Sequence, residues 1–260
     1  MIAVIIQARM SSTRLPGKTL ANIAGEPMLG HVLRRAKNIP GIDRAIIATT
    51  ENPADIAIYN FARENDIPVY IGSENDVLDR FYQASKYFGV SVIIRVTPDC
   101  PILDPEISGL VLNNFLKANG SLDYVSNVHP PTFPDGLDTE VFSFTALEQA
   151  WCQARKPSER EHVTPYIWKH PEQFCLANVS HSCDLSSLRW TVDEAQDLEF
   201  VRAVYNRFST TQKYFGMTEL LESIEKEPHL LKINQGISRN EGYYFSLNKD
   251  EKTEDKTSNQ

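Results

Sequence analysis

Arg9, Ser11, Ser12, Thr13, Arg14 and Lys18 lie close together in the stretch VIIQARMSSTRLPGKTL, residues 4–20. Two guanidinium groups and an ammonium give fixed positive charge, and three hydroxyls give short hydrogen-bond donors. Arginine offers a planar fork to phosphate or carboxylate oxygens, while lysine acts as a compact point charge. Backbone amides in a turn add further donors. The stretch follows a buried apolar run directly, in a chain whose formal net charge is −8. A local cationic loop in an acidic protein reads as a seat for a phosphate-bearing anion. The plain alternative is a solvated basic turn.

Known glycine-based phosphate loops do not fit. Gly17-Lys18-Thr19 matches the end of G-x-x-x-x-G-K-[ST], but the first glycine of that pattern falls on Ser12. That motif also needs a helix directly after it, and Gly25-Glu26-Pro27 reads as a turn instead. G-x-G-x-x-G is absent. The cradle must be built from side chains.

The elements that position this loop follow from hydrophobic periodicity. Apolar runs predict strands at 3–8, 44–50, 68–73 and 90–96. Helical spacing of apolar residues predicts helices at 26–39, 53–67, 76–89 and 104–118. Strand–helix alternation with buried strands predicts a mostly parallel sheet covered on both faces. Ligands bind such sheets at the carboxyl ends of the strands. The opening loop and TPDCP (97–101) both lie at such ends, so they should meet in space. Beyond residue 120 the pattern predicts strands at 123–127, 139–144, 174–180 and 188–192. It predicts helices at 145–155, 159–169 and 195–208.

Composition narrows the class. With 260 residues, 42% hydrophobic, the chain suits one sizeable α/β domain. Its acidity excludes a general nucleic-acid or membrane-surface binder. Cys100, Cys152, Cys175 and Cys183 form no C-x-x-C pair, and reduced thiols in a cytoplasmic protein are expected. No signal-peptide pattern and no apolar run of about 18 residues is present. Residues 246–260 are polar and charged and read as a disordered tail.

QARMSSTRLPGK (7–18) resembles the signature of sugar nucleotidyltransferases, specifically cytidylyltransferases. The match is strongest to the SpsF-like branch, named for spore coat polysaccharide biosynthesis and related to CMP-Kdo and acylneuraminate cytidylyltransferases. GSENDVLDRF (72–81), RVTPDCPILDP (95–105), FPDGLDTEVFS (133–143), EREHVTPYI (159–167) and RWTVDEAQDLEFV (189–201) resemble the branch in the same order. The similarity covers about residues 1–205.

That resemblance implies a single-domain, Rossmann-like nucleotide-diphospho-sugar transferase fold over residues 1–245, with an acceptor-binding subregion at about 120–190. It implies transfer of a cytidylyl group from CTP to a sugar or sugar acid with release of pyrophosphate, for cell-surface or spore-coat polysaccharide. A dimer is common in the family. Arg9, Arg14 and Lys18 match the cationic positions that take the triphosphate, with Ser11, Ser12 and Thr13 as local donors. Arg80 and Asp79 fall where the family places nucleoside contacts, with a solvated helix position as the alternative for Arg80, and Gln7 with the backbone at Ala8 reads as a base contact. Asp99 and Asp193 match the two aspartates that hold Mg²⁺, although Asp193 also suits a helix N-cap. Asp104 and Asp76 read as caps. For the acceptor, PDGLDTEVFS places Asp135, Asp138 and Glu140 around a glycine, where carboxylates suit sugar hydroxyls, and SEREHVTPYI adds Arg160, suited to an acceptor carboxylate or phosphate, with Glu161 and His162. Either Glu161 or His162 suits a general base, while Ser158 with Glu161 also fits a capping box. The chain departs from the CMP-Kdo pattern in reading DCP where that pattern has DEP. The alternative activity is a GT-A-type glycosyltransferase using a nucleotide sugar. Its D-x-D metal motif has no counterpart in TPDCPILD.

Overall fold

Burial along the first strand sets the architecture. Ala3 and Ile5 pack on one side of the sheet, Val4 and Ile6 on the other, and all four are fully buried. A strand apolar on both faces must be covered by helices on both. The computed structural model describes residues 1–209 and 214–258.

From β1 (Ile2–Gln7) the chain passes through a short hairpin, β2 (Asn22–Ile23) and β3 (Glu26–Pro27), into α1 (Met28–Lys37). Three strand–helix units follow: β4 (Arg44–Thr50) with α2 (Ile56–Glu64), β5 (Val69–Gly72) with α3 (Val77–Phe88), and β6 (Val92–Val96) with α4 (Pro105–Lys117). The second half adds β7 (Tyr124–Ser126), β8 (Glu140–Ser143), α5 (Phe144–Gln153), α6 (Pro157–His162), α7 (Pro165–Trp168), β9 (Leu176–Asn178) and α8 (Ala195–Ser209). Then come α9 (Met217–Lys226) and α10 (Glu241–Ser258).

Seven strands form one sheet in the order β5-β4-β1-β6-β8-β7-β9. β5, β4, β1 and β6 are mutually parallel. β8 is antiparallel to both β6 and β7, and β9 is parallel to β7. The fold is thus a single α/β domain with a mostly parallel sheet. A third apolar cluster, around Trp190, Val192 and Phe200, ties α8 and α9 beside the sheet's carboxyl edge.

Four local expectations change. The helix expected over 26–39 starts only at Met28, because Glu26-Pro27 pairs with Asn22–Ile23. The helix expected over 159–169 breaks in two at Val163, whose φ is +72°. Pro165 has no N–H to continue the first helix and instead opens the second, where a missing donor costs nothing. The strand expected at 188–192 makes only a single bridge, Asp135 to Arg189. The segment expected as a disordered tail carries α10, whose Asp250 carboxylate accepts from Ser158 N at 3.1 Å. Residues 259–260 lie outside the described residues.

The loop that carries Asp135 and Asp138 is clamped by backbone bonds. Asp135 N donates to Leu188 O at 2.9 Å, and Trp190 N donates to Asp135 O at 2.6 Å. Gly136 makes that approach feasible: its φ is +108°, and an added Cβ would sit 2.7 Å from Thr191 N and from Trp190 C. Gly136→Ala should therefore destabilise the protein by about 2–4 kcal/mol, from left-handed strain plus backbone overlap. Chemical denaturation measures this, and a loss below about 1 kcal/mol would contradict the clamp.

Candidate active site

The opening loop is anchored from below before any ligand arrives. Asp55 lies just before α2 and is 1% exposed; its carboxylate accepts from Met10 N at 2.6 Å and from the Thr50 hydroxyl. Thr19 Oγ1 donates to Arg9 O at 2.6 Å, which closes the loop on itself. Ser12 N and Gly17 N both donate to Met10 O. Ser11 Oγ donates to Glu74 at 2.8 Å, and Ser12 Oγ accepts from Leu15 N at 3.3 Å. Those two hydroxyls thus shape the loop, while Arg9 and Thr13 stay exposed.

Lys18 is turned inward. Its ammonium donates to Asp99 Oδ2 at 2.9 Å, Asp193 Oδ1 at 2.9 Å and Val192 O at 2.7 Å. Burial alone would lower its pKa, but the two carboxylates outweigh burial and hold it above the ordinary value. Burial likewise pushes Asp99 up, and Lys18 more than reverses that push. The two segments expected to meet do so, at Lys18 and Asp99.

Asp193 also accepts from Arg14 Nη2 at 2.8 Å and Arg189 Nη2 at 3.0 Å. It does not cap α8. Asp197 takes that task, accepting from Asp193 N and Glu194 N at 2.9 Å each. Asp197 is fully buried and is gripped by Arg189 through two bonds of 2.9 Å. Arg189 reaches Asp135 with its remaining arm, at 3.1 Å. One buried guanidinium thus fixes aspartates from two separate loops.

Two clefts meet at this network. The first, ≈ 580 Å³, is lined by the opening loop, Gln7, Arg80 and one side of α10. Six cationic side chains face four carboxylates in it, a local excess of positive charge in an acidic chain. Gln7 Oε1 and Arg80 Nε are buried there without a hydrogen-bond partner. Burial, and then the charge of Arg9, lower the Arg80 pKa to about 10. An arriving anion would satisfy what both effects leave strained. The second cleft, ≈ 540 Å³, reverses the balance, with six carboxylates facing three arginines. Trp168 and Tyr243 form an aromatic wall in it, 5.9 Å apart. Arg14, Arg95, Asp99, His162 and Asp193 line both clefts.

The expected acceptor residues divide. Asp138 lines the second cleft and is paired with Arg239 Nη2; burial pushes its carboxyl up. Asp135 beside it is raised to about 7, by burial and then by Asp138. Glu140 lines the cleft but is saturated: Tyr124 and Thr164 each donate at 2.6 Å, and Arg95 holds its second oxygen. Arg160 is not in either cleft. It donates to Asp76 and to Trp151 O, tying α6 to the start of α3, so it has no arm left for a ligand. Asp76 and Asp104 cap α3 and α4 as expected. The Ser158–Glu161 capping box does not form, because Glu159 accepts from Arg155 N and Lys156 N instead. Glu161 and His162 both face the first cleft. Sequence reading missed Asp55, a lone aspartate in an ordinary Asn-Pro turn, and the whole contribution of residues 239–249.

Burial lowers the His162 pKa to about 4 from the ordinary 6.5. As pH falls the unfolded chain takes up this proton first. Stability fully present above about pH 6.5 is therefore lost progressively toward about pH 4. Thermal unfolding of His162→Gln should show a shallower loss across that window, and an unchanged acid limb would contradict the assignment.

The comparisons with known proteins agree with this geometry. The chain matches the family model described as Cytidylyltransferase over residues 3–242. It is 30% identical over 234 residues to the spore coat polysaccharide biosynthesis protein SpsF of Bacillus subtilis, covering 87% of this chain and 95% of that one. A 3-deoxy-manno-octulosonate cytidylyltransferase of Aeromonas salmonicida is 34% identical over 128 residues, 47% of this chain and 49% of that one. The solved structure of a cytidylyltransferase from Leptospira borgpetersenii superposes with a TM-score of 0.86 at 34% identity, covering 92% and 99% of the two chains. A cationic loop at the end of β1, joined to an acidic cleft, is thus set in a chain that belongs to the cytidylyltransferase family.

Proposed function

We propose that the chain transfers the cytidylyl group of CTP to a hydroxyl of a sugar or sugar acid and releases pyrophosphate. The observation that carries this reading is the meeting of a cationic cleft and an acidic cleft at Asp99 and Asp193. The cationic cleft suits the triphosphate; the acidic cleft, with its aromatic wall, suits a hydroxylated ring. The acceptor oxygen attacks the α-phosphorus, the bond to the bridging β-phosphate oxygen breaks, and pyrophosphate departs. Arg9, Arg14 and Lys18 stabilise the charge that grows on the leaving group, and the anchored loop holds them in place beforehand. Gln7, the backbone at Ala8 and Arg80 receive the nucleoside side. In the acceptor cleft Asp138 takes sugar hydroxyls, and saturated Glu140 holds Arg95 in place.

The residues present fit a divalent ion such as Mg²⁺. Oxygens of Asp99 and Asp193 converge within 2.9 Å of one point, which Lys18 Nζ takes in this structure. Two hard carboxylates with phosphate oxygens and water are what such an ion takes. When bound, it would neutralise phosphate charge during the transfer. Among the described residues no cluster of three His, Cys, Asp or Glu side chains offers a cage without the phosphates.

The name of the Bacillus subtilis relative supports a place in surface-polysaccharide synthesis, and that of the Aeromonas salmonicida relative supports a sugar acid as acceptor. Four free cysteines go with a reducing compartment such as the cytoplasm. No helix among the described residues is long and apolar enough to cross a membrane.

Pyrophosphate release is the direct assay, run with CTP, ATP, GTP and UTP against sugar acids, neutral sugars and amino sugars in the presence of Mg²⁺. Release should require CTP and one acceptor, and should stop on chelation or in Asp99→Ala. Lys18→Met should lower kcat by about 10²–10³-fold, the scale of losing one transition-state donor. Consumption of a ready-made nucleotide sugar with no use of CTP would replace this reading with the glycosyltransferase.

A further inference from the structure

Three residues that line both clefts could take a proton: Asp99, Asp193 and His162. Both aspartates are tied to Lys18. His162 is not.

Its surroundings define its tautomer. Ser246, on α10, lies between Glu161 and His162. Its hydroxyl is 2.8 Å from Glu161 Oε2 and 3.1 Å from His162 Nε2. Gly242 O is also within reach, at 3.1 Å. A hydroxyl has one proton, and the charged, closer acceptor is the stronger one. Ser246 therefore donates to Glu161, and its lone pair accepts from Nε2–H. The remaining lone pair of the imidazole is on Nδ1, which has no protein partner among the described residues.

The backbone beneath this ring is strained, which is a separate observation. Val163 has φ +72° and ψ −56°, and Thr164 N donates to His162 O at 2.9 Å. That is the rare γ-turn, here with a β-branched residue at its centre. Such a conformation costs about 1–3 kcal/mol and persists only where surrounding structure imposes it. Val163 is fully buried, and Pro165 follows two residues later. The turn ends α6 abruptly and leaves His162 where the clefts meet.

We propose that His162 Nδ1 is the general base that takes the proton of the acceptor hydroxyl, and that α10 supplies Ser246 as the residue that positions it. The inference rests on the cytidylyl-transfer reading. The hydroxyl proton moves to Nδ1 as the acceptor oxygen bonds to the α-phosphorus and the bridging oxygen leaves with pyrophosphate. The imidazolium then returns its proton to solvent. Glu161, through Ser246, steadies the charge on the ring. Arg95, Glu140 and Asp250 also act on it electrostatically, and Tyr243 meets it edge-on at 5.0 Å.

The test uses the full chain with CTP and 3-deoxy-manno-octulosonate, or whichever sugar of the panel above turns over fastest. His162→Gln should lower kcat by about 10²–10⁴-fold and remove the acid limb of the kcat–pH profile. Its CTP affinity, measured calorimetrically, should change less than about twofold. Ser246→Ala should lower kcat with little change in KM for CTP, while Ser246→Thr should restore much of it. Nitrogen NMR of the histidine rings should show His162 protonated on Nε2 and bare on Nδ1. Full kcat and an unchanged pH profile in His162→Gln, or a ring protonated on Nδ1, would overturn the base assignment and leave cytidylyl transfer standing. No pyrophosphate release by the unaltered chain with any pair would overturn both.

Discussion

Lys18 is shared between two carboxylates that are 81 and 175 residues away from it in sequence, and the site is organised around that sharing. The ammonium draws the opening loop onto the carboxyl end of β6 and onto the segment before α8. Lys18 and both its partners are half-buried, and breaking such a pair leaves an uncompensated charge in the site. Making one adds little stability over a well-packed apolar pair. Such an arrangement positions a cation more than it stabilises the fold. A cation that already sits among oxygens can exchange a carboxylate oxygen for a phosphate oxygen with little reorganisation, which is the condition for electrostatic stabilisation of a transition state.

The supports behind Lys18 are equally specific. Asp55 holds the loop by a backbone N–H, and Arg189 fixes Asp193, Asp197 and Asp135 together. Gly136 permits the Asp135 loop to lie against Trp190. The two clefts thus share one electrostatic framework. Each cleft keeps its own character, the first cationic and the second acidic with an aromatic wall.

Much of this was legible in the residues. β1, β4 and β6 show as apolar runs because both their faces are covered, and the opening loop stands out because Arg9 and the charges after it follow such a run. The meeting of Lys18 with Asp99 followed from sheet topology alone. Other features depend on partners distant in sequence. Arg160 and Glu140 have the chemistry of ligand residues, but Asp76, Tyr124 and Thr164 had already claimed them, which no local pattern reveals. The strand expected at 188–192 has the right composition, yet its backbone is used to clamp the Asp135 loop. α10 is weakly amphipathic and reads as a tail. It becomes part of the site only because α6 offers it a seat.

In the proposed reaction the cleft beside β1 cradles the triphosphate, and its cations act on the β- and γ-phosphates. The most direct measurement is calorimetric binding of CTP and of CMP to the unaltered chain with Mg²⁺ present. CTP should bind at least about 100-fold more tightly, equivalent to about 2.7 kcal/mol. Equal affinity for CTP and CMP would show that Arg9, Arg14 and Lys18 do not hold the leaving phosphates, and would contradict the account.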